Sequence, residues 1–300
     1  MNLGLVLPLY SGDPARVMAF AERATALGFD GLFAFDHFFP PGTSAERASL
    51  EAFTTLSAVT VACPNMTIGT FVARAGVRAP GMLAKMAGQI DDMSGGNFIL
   101  GLGAGDEQSR AEAETFGFEH LETQTERYEL LADTVRGVRA LLDGRAWVGS
   151  DLVPAMEGPL APAPRRSGGP PVWIGGKGDA ALRLAADLAD GWNGWGIDEE
   201  TFAARAAELT ALSGASGRTV EPNWGGIALV GEDAASVETL LVRRREVGLT
   251  ESTVWSGTAA EFRMFLERLA AAGASWAIFV PAGPADRMDL IADALDRVRP

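Results

Sequence analysis

The chain has 300 residues, of which 47% are hydrophobic, and this is enough for one large α/β barrel with an extensive buried core. Its formal net charge of -14 disfavours nucleic acids and anionic membranes as partners, because both bind positively charged surfaces. No apolar stretch reaches the roughly 18–20 residues that cross a bilayer, and the first residues do not resemble a signal peptide, so we expect a cytoplasmic protein.

Strand and helix signals alternate from the N-terminus onward. The apolar run 3–8 predicts the first strand, and an Asp-Pro pair followed by periodic apolar residues to position 27 predicts the first helix. Further strands are predicted at 31–35, 66–73 and 98–102, with helices from 50 to 62 and from 80 to 94. The polar, proline-containing loop 38–47 is a candidate wall of a site.

Residues 144–171 interrupt this alternation, because they are rich in proline and glycine, and we interpret them as an insertion over one end of the sheet. Strands are predicted again at 172–175, 191–195, 223–230 and 276–280. Eight strand–helix units without a linker between halves predict one domain over residues 1–300, a (β/α)8 TIM barrel with insertion segments at its C-terminal face.

An ionisable dipeptide, Asp36-His37, follows the predicted second strand. The C-terminal ends of barrel strands are where such proteins hold their reactive groups. His37 has two interpretations: a structural histidine bound to a backbone carbonyl, or a proton-transfer group whose basicity the neighbouring carboxylate adjusts. A single cysteine and two separated histidines form no pattern of metal ligands, so no metal site is predicted.

A glycine-rich segment, Gly103-Ala104-Gly105, follows the predicted fourth strand and precedes Asp106. It departs from the dinucleotide-binding pattern G-x-G-x-x-G and does not belong to a first strand, which disfavours a Rossmann fold. Close approach of the backbone to a flat ligand and a plain tight turn are the two alternatives for these glycines.

A second glycine-rich segment, Gly175-Gly176-Lys177-Gly178, leads into a predicted helix. Unpaired amides at a helix N-terminus favour an anion, and Lys177 could add a positive charge, so this turn predicts a phosphate site. A purely structural turn is the alternative.

Motifs spread over nearly the whole chain resemble those of the bacterial-luciferase-like flavin and deazaflavin oxidoreductases. They lie at 26–31 with Asp36-His37, and at 68–72, 84–96, 100–105, 172–176 and 189–193. The resemblance implies a (β/α)8 barrel that binds FMN or the deazaflavin coenzyme F420, with dimerisation as a family expectation. The Asp-His pair favours the F420-dependent branch, because in those members it lies beside the deazaflavin ring.

The resemblance also implies roles for individual residues. A bulge in the third strand with a non-prolyl cis peptide, here Phe71-Val72 after Thr70, would back the ring. The turn after the fifth strand, here Gly175, Gly176 and Lys177, would hold the cofactor phosphate. The other residues predicted to bind the cofactor are Asp36, Gly103, Ala104, Gly105, Trp192 and Asn193.

Asp106 departs from the pattern of the family. Some members have a proton-donating glutamate at this position, and aspartate is one methylene shorter. Asp106 is therefore either a third catalytic residue beside Asp36 and His37, or a residue that only orders its loop.

We expect hydride transfer between F420 and a small organic substrate, with His37 moving the matching proton and Asp36 orienting it. One alternative is an FMN-dependent monooxygenase that uses O2 and a separate flavin reductase. Another is a flavin-binding protein without catalysis. A metal-dependent barrel hydrolase is disfavoured, because the chain lacks a pattern of metal ligands. The sequence names no substrate class.

Overall fold

Short strands alternate with helices along the chain, and the computed structural model describes residues 1–246, 248–249, 254–282 and 287–295. The strands are β1 Asn2–Val6, β2 Gly31–Ala34, β3 Thr67–Thr70, β4 Ala73–Arg74, β5 Phe98–Gly103, β6 Val172–Gly175, β7 Gly191–Trp195, β8 Glu221–Gly231, β9 Val254–Thr258 and β10 Trp276–Pro281. The helices are α1 Pro14–Ala26, α2 Ala52–Ala62, α3 Pro80–Met93, α4 Gln108–Phe116, α5 Gln124–Leu142, α6 Asp179–Leu188, α7 Glu199–Ala215, α8 Ala234–Glu246, α9 Ala259–Ala271 and α10 Arg287–Leu295.

The sheet closes on itself as a parallel barrel. Its strands follow the order β1, β2, β3, β5, β6, β7, β8 and β10, and β10 pairs with β1. β4 continues the line of β3 by pairing with β5. The predicted (β/α)8 barrel is therefore confirmed. Among the described residues, no helix is long and apolar enough to span a membrane.

One strand of the sheet lies outside the barrel and was not predicted. β8 is long, and its second half pairs with β9 at 227–231, while its first half pairs with β10 at 223–228. β9 ends directly at Thr258, whose side chain forms the capping box of α9 with Glu261. This strong helix-start signal marks α9, whereas the short strand in front of it has no comparable signal.

Alternation along the strands separates two apolar layers. Inward-facing side chains fill the barrel as an interior cluster of Val6, Phe33, Phe71, Ile99, Trp173, Trp276 and Ile278. Outward-facing residues, such as Leu32 and Ala34, pack in a larger core beneath the helices. The Phe33 ring has room because its neighbours are small: a Cβ on Gly4, Gly31 or Gly69 would lie 2.6, 3.0 or 2.9 Å from it.

A methyl group at Gly101 has no room in the barrel wall. A Cβ there would lie 2.2 Å from the carbonyl oxygen of Thr70, and this backbone atom can move only if β3 separates from β5. We expect Gly101→Ala to lower the free energy of unfolding by about 1–3 kcal/mol. Chemical denaturation measures this. Gly214→Ala is the control, because no described heavy atom lies within 4 Å of its added methyl group, and it should leave stability unchanged or raise it.

The segment 144–171 was predicted to lie over one end of the sheet, but the structure places it elsewhere. It runs along the outside of α3 and α5, where Met156 lies 3.2 and 2.9 Å from the positions of a Cβ on Gly81 and Gly137. Arg166 then pairs with Asp91 at the end of α3 and donates a hydrogen bond to the Phe98 carbonyl at 3.0 Å. The long segments at the C-terminal ends of the strands are instead 35–51 and 104–123.

Candidate active site at the barrel mouth

The parallel barrel brings four predicted segments to one end. His37 follows β2, Val72 lies between β3 and β4, Asp106 follows β5, and Lys177 follows β6. All of these strands run in the same direction, so their C-terminal ends share one face, the mouth of the barrel.

Asp36 faces away from the mouth, and this differs from its predicted role beside the ring. Phe33 and Phe35 point into the barrel, so the alternation along the chain turns Asp36 outward, where it is 2% exposed. Its two carboxylate oxygens accept hydrogen bonds from the Arg78 guanidinium, both at 2.8 Å, and one also accepts the Arg74 backbone N–H at 3.1 Å. Asp36 therefore anchors arginine residues behind the wall instead of orienting His37.

The carboxylate that meets His37 belongs to Glu112, which the sequence analysis did not identify. The His37 Nδ1 atom lies 3.4 Å from its carboxylate, and the His37 side chain is 20% exposed whereas that of Glu112 is fully buried. Glu112 also accepts the Phe38 backbone N–H at 2.7 Å and pairs with the Arg74 guanidinium. α4 thus supplies a buried anion beside His37.

The environment of Glu112 keeps it ionised. Burial raises its pKa, but the hydrogen bond with His37 and the charge of Arg74 outweigh burial, so the pKa of Glu112 lies below its ordinary value of 4.5. A negatively charged partner favours a hydrogen on Nδ1 of His37, which leaves Nε2 as the nitrogen that can accept a proton.

The charged network behind His37, which extends from buried Glu112 to partly exposed Glu51, carries one excess negative charge when the imidazole is neutral. It contains two guanidinium groups, those of Arg74 and Arg78, and three carboxylates, those of Asp36, Glu51 and Glu112. Burial raises the pKa of Glu51, but hydrogen bonds from Thr54 and other groups lower it overall.

The peptide bond between Phe71 and Val72 is cis, as predicted. Glycine is required on both sides of this bond by packing, and not only by access for a ligand. A Cβ on Gly103 or Gly175 would lie 2.6 or 2.9 Å from the Val72 side chain. These two glycines therefore make room for the Val72 bulge, which in turn forms a surface of the mouth. Ala104 and Gly105 continue from this point, and Gly105 has a positive φ of 75°.

The turn after β6 offers an open anion cradle. Gly178 is the N-cap of α6; among the described residues no side chain caps this helix, and no heavy atom lies within 4 Å of a Cβ built on Gly178. Gly176 has φ 142°, and its N–H donates to the Asn193 carbonyl at 3.1 Å. Lys177 is exposed beside them. Free helix amides and an open approach fit the phosphate of a cofactor.

Three residues predicted to bind the cofactor are instead buried and donate hydrogen bonds to backbone carbonyls. Trp192 is fully buried against Phe202 of α7, and its Nε1 donates to the Gly176 carbonyl at 2.7 Å, which holds the turn from behind. Thr70 is also fully buried and donates to the Gly101 carbonyl at 2.7 Å. Asn193 is 2% exposed and lies 3.5 Å from the Asn223 carbonyl. None of these three described side chains presents a surface to the mouth.

Asp106 is exposed at the start of the segment after β5. Its carboxylate accepts hydrogen bonds from the backbone N–H and the hydroxyl of Ser109, both at 3.2 Å. These contacts order the entry into α4, the helix that carries Glu112. They correspond to the loop-ordering alternative, and a direct catalytic role of Asp106 stays a prediction.

Solved structures with the same fold include enzymes with different cofactors. An F420-dependent secondary alcohol dehydrogenase in complex with an F420-acetone adduct has a TM-score of 0.85 and 19% identity, with 100% of this chain and 99% of that chain covered. A coenzyme F420-dependent tetrahydromethanopterin reductase from Methanopyrus kandleri has a TM-score of 0.79 and 15% identity, with 99% of both chains covered. An EDTA monooxygenase from Chelativorans sp. BNC1 has a TM-score of 0.80 and 16% identity, with 99% of this chain and 93% of that chain covered.

At these identities the structures establish the fold alone, and the family follows from the sequence. A profile of the luciferase-like monooxygenases matches residues 2–297, almost the entire chain. The predicted resemblance is thereby confirmed, and it supports an enzyme of the oxidoreductase and monooxygenase type. The protein belongs to the luciferase-like monooxygenase family.

Proposed function

We propose that this protein is an F420-dependent oxidoreductase that exchanges a hydride with a small organic substrate. The observation that carries the proposal is His37 at the barrel mouth, 3.4 Å from the buried carboxylate of Glu112. Hydride transfer to or from a carbon–oxygen group requires a matching proton, and this imidazole is placed to move it. The two F420-dependent enzymes with the same fold add support.

The residues of the mouth fit a cofactor with a phosphate and a flat ring. The open N-terminus of α6, with Gly176, Lys177 and Gly178, would hold the phosphate. The Val72 bulge would support the ring. A bound deazaflavin would supply the hydride chemistry itself, because its ring carbon accepts or donates two electrons together with one hydrogen nucleus.

His37 would act through its Nε2 atom. When an alcohol is oxidised, its C–H bond breaks with loss of a hydride and its O–H bond breaks with loss of a proton, and Nε2 would accept that proton. In the reverse direction the protonated imidazole would return the proton to the carbonyl oxygen. Glu112 would hold the hydrogen on Nδ1 and so orient the imidazole with Nε2 available for the proton.

An FMN-dependent monooxygenase is the second candidate. The α6 cradle and the Val72 bulge would contact a phosphate and a ring, and FMN has both of these parts. The EDTA monooxygenase with the same fold supports this candidate at the level of architecture. Direct measurement of the cofactor therefore decides between them.

The deciding experiment titrates the purified protein with F420 and with FMN in parallel, followed by fluorescence. We expect F420 to bind more tightly than FMN, whereas tight binding of FMN without binding of F420 would overturn the proposal. The matched variant is Gly178→Asp, because aspartate is a good N-cap and the position has open space. Its carboxylate should weaken cofactor binding about tenfold or more while thermal stability is unchanged or raised.

A further inference from the structure

A groove in the surface continues from the turn after β6 along the outside of α5. It has a volume of about 580 Å³ and lies between α5, the start of α6 and the turn 150–152. Two contacts join it to the α6 cradle. Ala180, the second residue of α6, lines the groove, and so does Tyr128, whose hydroxyl lies 3.1 Å from the position of a Cβ on Gly176. A ligand chain that extends beyond a phosphate in the cradle can therefore run directly into the groove.

The groove begins, in the first turns of α5, with polar side chains that carry no charge. Its walls there hold the amide of Gln124 and the hydroxyls of Thr125 and Tyr128. Burial raises the pKa of Tyr128 above its ordinary value of 10.0, so the phenol stays neutral. These groups can donate hydrogen bonds to the oxygens of a phosphate ester or of an amide.

Further along α5 the groove becomes negatively charged. Asp133 and Arg136 form an ion pair at 2.9 Å, which leaves the carboxylates of Glu129 and Asp151 as an excess of two negative charges in the lining. Both are exposed, and neither carboxylate has a hydrogen bond or ion pair with another described residue. Lys177 belongs to the cradle, where a bound phosphate would balance its charge. A carboxylate placed in this part of the groove is therefore repelled.

We infer that the groove receives the part of the cofactor beyond its phosphate, and that the charge of the groove favours F420 with a short glutamate tail. This inference rests on the proposed function, because FMN ends at its phosphate whereas F420 continues through a lactyl group into a tail of linked glutamates. The uncharged groups beside the cradle suit the first amide of that tail. Each further glutamate adds a carboxylate that meets the excess negative charge, and such repulsion is a source of specificity.

The test compares F420 that carries a single glutamate with F420 that carries a long tail, each titrated into the purified protein and followed by fluorescence. At low ionic strength we expect the short form to bind about threefold to tenfold more tightly. At about 0.5 M salt the difference should disappear, because salt screens charges that are exposed. Equal affinities at low salt, or tighter binding of the long form, would overturn the inference.

A double variant, Glu129→Lys with Asp151→Lys, turns the excess of two negative charges in the groove into two positive ones. It should bind the long form about threefold or more tighter than the short form at low salt. The matched control is Glu22→Lys with Glu267→Lys, on α1 and α9, which changes the net charge of -14 by the same amount away from the groove.

The control variant should keep the preference for the short form, because general attraction by the protein's net charge is then the only change. An equal shift of preference in the control and in the groove variant would show that the groove does not select the tail. Failure of both forms of F420 to bind the wild-type protein would instead count against the proposed function, so the two failures are distinguishable.

Discussion

His37→Ala should bind its cofactor with unchanged affinity and turn over about 10²–10⁴-fold more slowly than the wild-type protein. The imidazole lies at the mouth, partly exposed, with Nδ1 against Glu112 and Nε2 free to exchange a proton. Alanine removes the proton acceptor but leaves the α6 cradle and the Val72 bulge in place. Rate and cofactor affinity therefore separate in this variant.

Three measurements make this expectation specific to proton transfer. Added imidazole should restore part of the lost rate, because it can occupy the space left by the side chain. The acidic limb of the wild-type pH–rate profile should be absent from the variant. His120→Ala, which replaces the other histidine of the chain, should turn over like the wild-type protein. If His37→Ala kept both binding and rate, the non-catalytic flavin-binding hypothesis would replace the enzyme.

The barrel and the position of the mouth could be predicted from the sequence because both follow from local patterns. Apolar runs bounded by helix caps locate the strands, and parallel strands place Asp36-His37 and the two glycine segments at one end. The cis peptide at Phe71-Val72 came from the family resemblance, since no local signal indicates it.

The contacts that tune the site could not be predicted in the same way, because they join distant parts of the chain. Glu112 lies in α4, 75 residues beyond His37, and its sequence neighbours resemble those of an ordinary surface helix. Asp36 is different: the alternation of strand β2 already places it on the opposite side from Phe35, so its outward direction was available from the period of two. Trp192 follows the same rule within β7.

Glu112→Gln should lower the free energy of unfolding by about 3–5 kcal/mol at neutral pH. The amide keeps the shape of the side chain but leaves the Arg74 guanidinium, which is 5% exposed, without its buried counter-charge. The variant should also turn over more slowly, because Nδ1 of His37 loses the carboxylate that orients the imidazole. Urea denaturation gives the first quantity and steady-state kinetics the second.

The pH dependence of this loss has a defined sign. The pKa of Glu112 is lower in the folded protein than its ordinary value of 4.5, so its stabilising contribution is fully present above that value and is lost as pH falls through the folded pKa. The difference in stability between wild type and Glu112→Gln should therefore shrink below about pH 4.5.

Adding Arg74→Met to Glu112→Gln should recover much of the loss, because both charges are then removed. Glu122→Gln, in an exposed pair with Arg110, should change stability little at any pH. A Glu112→Gln protein as stable as the wild type at neutral pH would contradict the buried network as the support of His37.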